Sequence, residues 1–265
     1  MTSLSRAQLR RCATTAAHAA VVAGGLLARH IGKPRMVQTK RSAVDLVTEI
    51  DRASERIIHA ILHRADPAVG FLGEEHGARR DGASSRWIVD PLDGTNNFVH
   101  GLPLFGVSIG LEHHGTMVVG VVYDPMRREL FTATRGGGAF LNGRRIHVSP
   151  TKRLALSLLS TGFSANFLKH PQPYLGWFQT LQASSHGVRR IGSSVLSLAF
   201  VASGRLEGFY ERDLWPWDIA AGMLLVQEAG GRVSNLTGRP ASLSEGRLVA
   251  TNGHIHRALL RALTR

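Results

Sequence analysis

Apolar positions recur at helical spacing in two early stretches, about residues 5 to 31 and 49 to 64, the second running on through Arg56-Ile57-Ile58 and Ile61-Leu62. This predicts two helices at the start of the chain. The period then changes. Residues 104–111, 117–123 and 130–134 have the β-branched or alternating apolar character of strands. Asn142-Gly143 predicts a tight turn that joins Ala139-Phe140-Leu141 to Ile146-His147-Val148 as a hairpin. After Pro150 short strands (157–161, 207–210, 232–233) alternate with helices near 171–184, 194–203 and 218–229. The pattern predicts an N-terminal α+β lobe, residues 1–148, and a C-terminal α/β lobe, residues 149–265, packed as one compact unit.

Composition changes this picture little. The 265 residues can bury a substantial core, and 43% apolar content is ordinary for a globular chain. The single cysteine, Cys12, excludes an intramolecular disulfide and suits a reducing compartment, so a cytoplasmic location is expected. Arg6, Arg10 and Arg11 precede an apolar run, residues 13–28, with the outline of a secretory leader. Thr14, Thr15 and His18 interrupt that run and Ala28-Arg29-His30 offers no small-residue cleavage site, so it reads as a helix. No stretch reaches the roughly 20 strongly apolar residues of a membrane span.

Charge adds a second possibility. The formal net charge is +13, with arginine pairs at 10/11, 79/80, 127/128, 144/145 and 189/190. Their scatter suits a basic solvated surface that steers phosphorylated substrates; nucleic-acid binding is the alternative. Gly136-Gly137-Gly138 has no lysine and serine after it, which makes it a hairpin lead-in rather than a nucleotide loop. His113-His114 reads as part of a turn.

Chemistry concentrates in Trp87-Ile88-Val89-Asp90-Pro91-Leu92-Asp93-Gly94-Thr95. The first three residues read as the end of a buried strand, and Pro91 and Gly94 shape a turn that sends Asp90 and Asp93 to one side. Gly94 lets an anion approach the backbone. Thr95 can cap a short helix over Asn96-Asn97-Phe98-Val99, whose free N–H groups attract phosphate. Hard oxygen ligands beside an anion cradle predict Mg²⁺ bridging protein and phosphate. Gly73-Glu74-Glu75 follows the strand-like Phe71-Leu72; alone, such a pair is a solvated loop. Asp218, in Trp217-Asp218-Ile219-Ala220-Ala221-Gly222, opens an Ala-rich helix, where a cap is the default role and a metal ligand the other. Val44-Asp45-Leu46-Val47-Thr48-Glu49-Ile50-Asp51 puts acidic and hydroxyl residues at a helix start, where capping is again the default.

Together with Gly137-Gly138-Ala139-Phe140-Leu141-Asn142-Gly143, these stations resemble, in order and over nearly the whole chain, the inositol monophosphatase family of Mg²⁺-dependent, Li⁺-sensitive phosphatases. The resemblance implies a layered αβαβα sandwich with the metal site between the lobes, and a dimer. It implies that Glu74, Asp90, Asp93 and Asp218, with the Leu92 carbonyl, hold Mg²⁺. Glu74 also counts among the catalytic residues, and Asp45 and Thr95 activate the attacking water. Gly94 and Thr95 bind phosphate through their N–H groups, while Asp93, Ser194 and Glu211 contact the alcohol. Read from the residues alone, Ser193 and Ser194 are caps of the helix that follows. The expected activity is hydrolysis of myo-inositol 1-phosphate. Histidinol phosphate, 3′-phosphoadenosine 5′-phosphate and fructose 1,6-bisphosphate stay open as substrates, as does a binding role towards RNA or a transcription complex.

Overall fold

The computed structural model describes residues 4–33, 37–39, 46–79 and 82–264. Helix α1 (Arg6–His30) starts at Ser5, whose hydroxyl accepts the Gln8 N–H while the Gln8 side chain accepts the Ser5 N–H. The chain continues through β1 (Val37–Thr39), β2 (Leu46–Thr48), α2 (Glu49–Ala65), β3 (Gly70–Gly73), β4 (Gly77–Arg79), β5 (Ser85–Asp93) and α3 (Thr95–Val99). Next come β6 (Gly106–His113), β7 (Thr116–Asp124), β8 (Glu129–Thr134), β9 (Gly138–Leu141), β10 (Arg144–Arg145), β11 (Leu158–Thr161), α4 (Tyr174–Ser184), β12 (Gly187–Arg189) and α5 (Ser194–Ala202). The last elements are β13 (Gly208–Arg212), α6 (Pro216–Glu228), β14 (Arg232–Ser234), β15 (Arg247–Thr251) and α7 (His256–Leu263).

Apart from the small β1–β2 pair, two sheets organise these elements into the αβαβα layering that the resemblance implies. An eight-stranded sheet has the order β10-β9-β8-β7-β6-β5-β3-β4, antiparallel except for the parallel pair β3–β5. A five-stranded sheet has the order β12-β11-β13-β15-β14, with β11 parallel to both its neighbours. On the outer face of the first sheet α1 lays an alanine stripe, Ala16, Ala19, Ala20 and Ala23, against β6 and β7. Strand alternation divides the residues: Trp87 and Val89 join that outer core, whereas Ile88 faces the inner one, which is filled by α5 and α6. Helices α4 and α7 cover the far face of the second sheet over Leu159, Val188 and Val249.

Close packing places α6. Gly110 and Gly120 face each other across β6 and β7, and a Cβ at Gly120 would come 2.6 Å from the Ala221 carbonyl oxygen. The helix therefore lies almost on the sheet backbone, and its N-terminus reaches the end of β5.

Three local expectations need correction. Strand β5 does not end at Val89. It continues through Pro91 to Asp93 with a register shift between Asp90 and Asp93, because only one side of it pairs with β6 there and the shift accommodates the proline. The cap of α3 is Gly94, at φ 92°, rather than Thr95; a Cβ at Gly94 would sit 2.9 Å from the Leu104 carbonyl oxygen. The hairpin after Asn142-Gly143 returns as Arg144–Arg145 and not as residues 146–148. Ile146 still donates to Ala139 O, but the Val148 N–H has left the sheet for Ala229 O at the end of α6.

Candidate active site

The end of β5 and the start of α6 bring Asp90, Asp93 and Asp218 together. One carboxylate oxygen from each lies within 4.8 Å of the others, the one such acidic group among the described residues. Each side chain is also anchored at one oxygen by a backbone N–H. Leu92 donates to Asp90 Oδ1 at 3.0 Å, Val195 donates to Asp93 Oδ2 at 2.9 Å, and Trp215 donates to Asp218 Oδ2 at 2.7 Å. Asp218 is thus both a helix-start acceptor and a member of the acidic cluster.

Glu74 stands at the rim, outside the tight trio but hydrogen-bonded to Asp90; its N–H donates to Val89 O at 3.3 Å. Burial, then the charges of Glu74, Asp93 and Asp218, push the Asp90 carboxyl well above the usual carboxylate range. Asp218 is pushed the same way by burial and by Asp93 and Glu74. Asp93 rises to about 6, chiefly through burial and against the hydrogen bonds from Ser193 and Val195. Carboxylates forced together in this way ionise readily only beside a compensating cation, so the donor set fits a hard divalent metal.

Several of the other residues named from the sequence lie around the trio. The Thr95 hydroxyl donates to Leu92 O at 3.0 Å and to Asp51 Oδ1 at 3.2 Å. Asp45 lies outside the described residues. Gly94 is the residue just before α3. The Ser193 hydroxyl accepts the Leu196 N–H as the cap of α5 and also donates to Asp93. Ser194 donates to Glu211 Oε2 at 3.3 Å. Glu211, on β13, is buried and raised to about 8, mainly by that burial and then by Asp93. Asp93, Ser193, Ser194, Arg190 and Glu211 line a cavity of about 180 Å³.

The pattern missed the support beneath this corner. On α2, Asp51, Ser54 and Glu55 are all buried, at i, i+3 and i+4, beside Ile58 and Leu62. Besides the Thr95–Asp51 bond, Ser54 donates to Pro91 O at 2.9 Å. Polar residues on the buried stripe of an amphipathic helix are the signal that marks such contacts in a sequence.

Known proteins resemble this chain over most of its length. A family model described as the inositol monophosphatase family matches residues 8–265. An inositol-1-monophosphatase of Mesorhizobium japonicum is 47% identical over 247 residues, covering 92% of this chain and 93% of that protein. A protein of Pseudomonas aeruginosa called Nus factor SuhB is 46% identical over 251 residues, with coverage of 92% and 93%. The solved inositol monophosphatase of Anabaena superposes with a TM-score of 0.89 at 41% identity, over 97% of this chain and 96% of its own.

Proposed function

The chain belongs to the inositol monophosphatase family of metal-dependent phosphatases, and on that footing we propose that it hydrolyses myo-inositol 1-phosphate with Mg²⁺ as cofactor. The observation that carries the reading is the convergence of Asp90, Asp93 and Asp218 on one centre. In this proposal Glu74, Asp90, Asp93, Asp218 and the Leu92 carbonyl hold the metal. Residues 1–148 supply most of the set and residues 149–265 add Asp218 and the alcohol contacts. When bound, a divalent cation supplies charge that polarises the phosphoryl group and eases deprotonation of the attacking water.

The protein's own groups do the rest. With its proton committed to Leu92 O and Asp51 Oδ1, the Thr95 hydroxyl offers a lone pair to the attacking water. Asp45 is assigned as the second acceptor. The N–H groups of Gly94 and Thr95 hold phosphate at the start of α3. Glu211, protonated at neutral pH by its raised pKa, donates to a polyol hydroxyl while accepting from Ser194. An apolar alcohol would leave the proton of that buried carboxyl without an acceptor, which selects for polyols.

The test is phosphate release, with and without Mg²⁺ and Li⁺, from inositol 1-phosphate, histidinol phosphate, 3′-phosphoadenosine 5′-phosphate and fructose 1,6-bisphosphate, with Asp218→Asn as control. Mg²⁺-dependent, Li⁺-inhibited turnover led by inositol 1-phosphate is the expected result. A different leading substrate would keep the chemistry and replace the substrate; no turnover by metal-loaded protein on any ester would remove the reading.

One relative's name favours a second reading, since the 46% identical Pseudomonas protein is called a Nus factor. In this reading the basic surface binds RNA or a transcription complex. Salt-sensitive RNA binding that survives Asp90→Asn would support it, and its absence at moderate salt would dismiss it. A cytoplasmic homodimer completes the proposal, with sedimentation as its check. Among the described residues no helix is long and apolar enough to cross a membrane.

A further inference from the structure

The turn that carries Glu74 is fastened to helix α2 by one buried side chain. Glu55 is 1% exposed, and its carboxylate accepts the Glu75 N–H at 2.8 Å, the His76 N–H at 3.1 Å and a bond from His76 Nδ1 at 2.5 Å. A carboxylate buried against two main-chain donors is an acceptor only, so the His76 ring nitrogen is the donor in the third bond. The contact leaves no free space: a Cβ at Gly73, the residue before Glu74, would overlap the Glu55 carboxylate. Glu74 itself is tied on its other side to Val89 O of β5, one residue from Asp90. The same helix face bonds Thr95 through Asp51 and the Pro91 carbonyl through Ser54. One stripe of α2 thus grips three segments that border the acid cluster.

We propose that Glu55 is a positioning residue for the metal centre, holding the 74–76 turn so that the Glu74 carboxylate stays beside Asp90. The proposal rests on the reading of Glu74 as a metal ligand. The physical reason is that a turn between two short strands has little packing of its own, so Glu74's place depends on what clamps the turn. Charge-assisted bonds from two consecutive backbone N–H groups fix both its position and its twist. Groups that orient metal ligands typically change metal affinity 10–100-fold when removed. Glu55→Gln keeps the size of the side chain but replaces one acceptor oxygen with an NH₂ donor. At least one of the three converging N–H groups then meets another donor, and the turn must shift.

The decisive measurement is Mg²⁺ affinity by isothermal titration calorimetry on the folded full chain, in the wild type, Glu55→Gln, Glu74→Gln and the double variant. Glu55→Gln is expected to weaken Mg²⁺ binding about tenfold or more, with the double variant no weaker than Glu74→Gln alone, because Glu55 acts through Glu74. Glu228→Gln is the control for simple loss of a clamp: Glu228 accepts the Gly136 and Gly138 N–H groups at 2.8 Å each, on another loop. It should leave Mg²⁺ affinity unchanged. An unchanged affinity in Glu55→Gln, or an equal loss in Glu228→Gln, overturns the proposal. No effect of Glu74→Gln would instead overturn the reading of Glu74 on which it rests. Should Glu55→Gln fail to fold, His76→Ala decides: it removes the side-chain bond and keeps both main-chain donors, so a loss of about threefold is expected and none overturns the proposal.

Discussion

At the scale of single residues, the acid cluster trades folding stability for affinity. In metal-free protein a carboxyl whose pKa is raised in the fold favours the folded state while it stays protonated. That contribution is complete below the unfolded value, 3.8, and is lost as pH rises through the folded value, about 6 for Asp93, with Asp90 and Asp218 raised in the same direction. The melting temperature in EDTA should therefore fall between pH 4 and pH 7, and saturating Mg²⁺ should restore it; a flat profile in EDTA would contradict the assignment. Asp90→Asn removes one of the repelling charges. It should abolish turnover, by at least about 100-fold, while raising the melting temperature of metal-free protein at pH 8 by a few degrees, on the order of 1 kcal/mol. Retention of most activity would sink the metal role of Asp90. Glu211 offers a subtler test. Glutamine resembles its protonated form, so Glu211→Gln should raise KM less than about threefold at pH 7, whereas Glu211→Ala should raise it roughly tenfold by leaving Ser194 and substrate hydroxyls without a partner. Much of this corner was legible because Asp90 to Thr95 is one local motif and Asp218 marks a helix start. The bonds of Ser193, Asp51 and Glu55 were not legible, since their partners lie 100, 44 and 20 or 21 residues away and only the fold brings them together.

At the scale of elements, the distance between α6 and the first sheet governs where Asp218 stands. Gly120→Ala would drive a methyl group into the Ala221 carbonyl and tilt the helix away from β7. Overpacking of this kind costs about 1–3 kcal/mol, and here it should also weaken Mg²⁺ binding by moving Asp218 off the trio. A stability loss with unchanged affinity would show that α6 adjusts without carrying Asp218 along. Helix α7 makes a pH-dependent contribution of opposite sign. His256, at its first turn, is buried between Ser234 and Thr251 at 2.9 Å from each hydroxyl. Ser234 donates to Asn235 O, so it accepts from Nε2, and Thr251 donates to Nδ1 while accepting the Gly253 N–H. The ring is thus satisfied as the neutral form, and burial lowers its pKa from 6.5 to about 4. The stability it contributes is present above 6.5 and is lost as pH falls towards 4. His256→Gln should therefore narrow its stability deficit relative to wild type between pH 7 and pH 4.5, measured by urea unfolding; a constant difference would refute the buried neutral ring. The long helices and the strands of the first sheet could be read from periodicity. Strand β15 and helix α7 could not: Leu248, Val249, Ala250 and Thr251 are all buried, which erases the alternation, and α7 spans only eight residues.

At the scale of the whole molecule, the net charge of +13 coexists with a cluster of acids at the candidate site. Several arginines are committed to structure. Arg127 and Arg205 flank the Phe200 ring at 5.8 and 5.3 Å while pairing with Asp124 and Glu129. Others stand near the chemistry: Arg190 lies 5.6 Å from the Phe163 ring and lines the cavity that holds Glu211. Such a field attracts a phosphate ester from solution but acts little on the chemical step, because charges spread over the surface are screened beyond about 8–10 Å at physiological ionic strength. Raising KCl from 20 to 200 mM at fixed free Mg²⁺ should thus lower kcat/KM for an anionic ester several-fold, roughly three to ten, with kcat changed less than about twofold. If the same surface were instead built to grip nucleic acid, RNA affinity would fall far more steeply, by about 10³ or more over a fourfold rise in salt for six or more phosphate contacts. Measuring both slopes on one preparation separates the two uses of the charge. A shallow kinetic slope with no RNA binding assigns the arginines to steering, whereas a steep RNA slope that Asp90→Asn leaves intact assigns them to a partner.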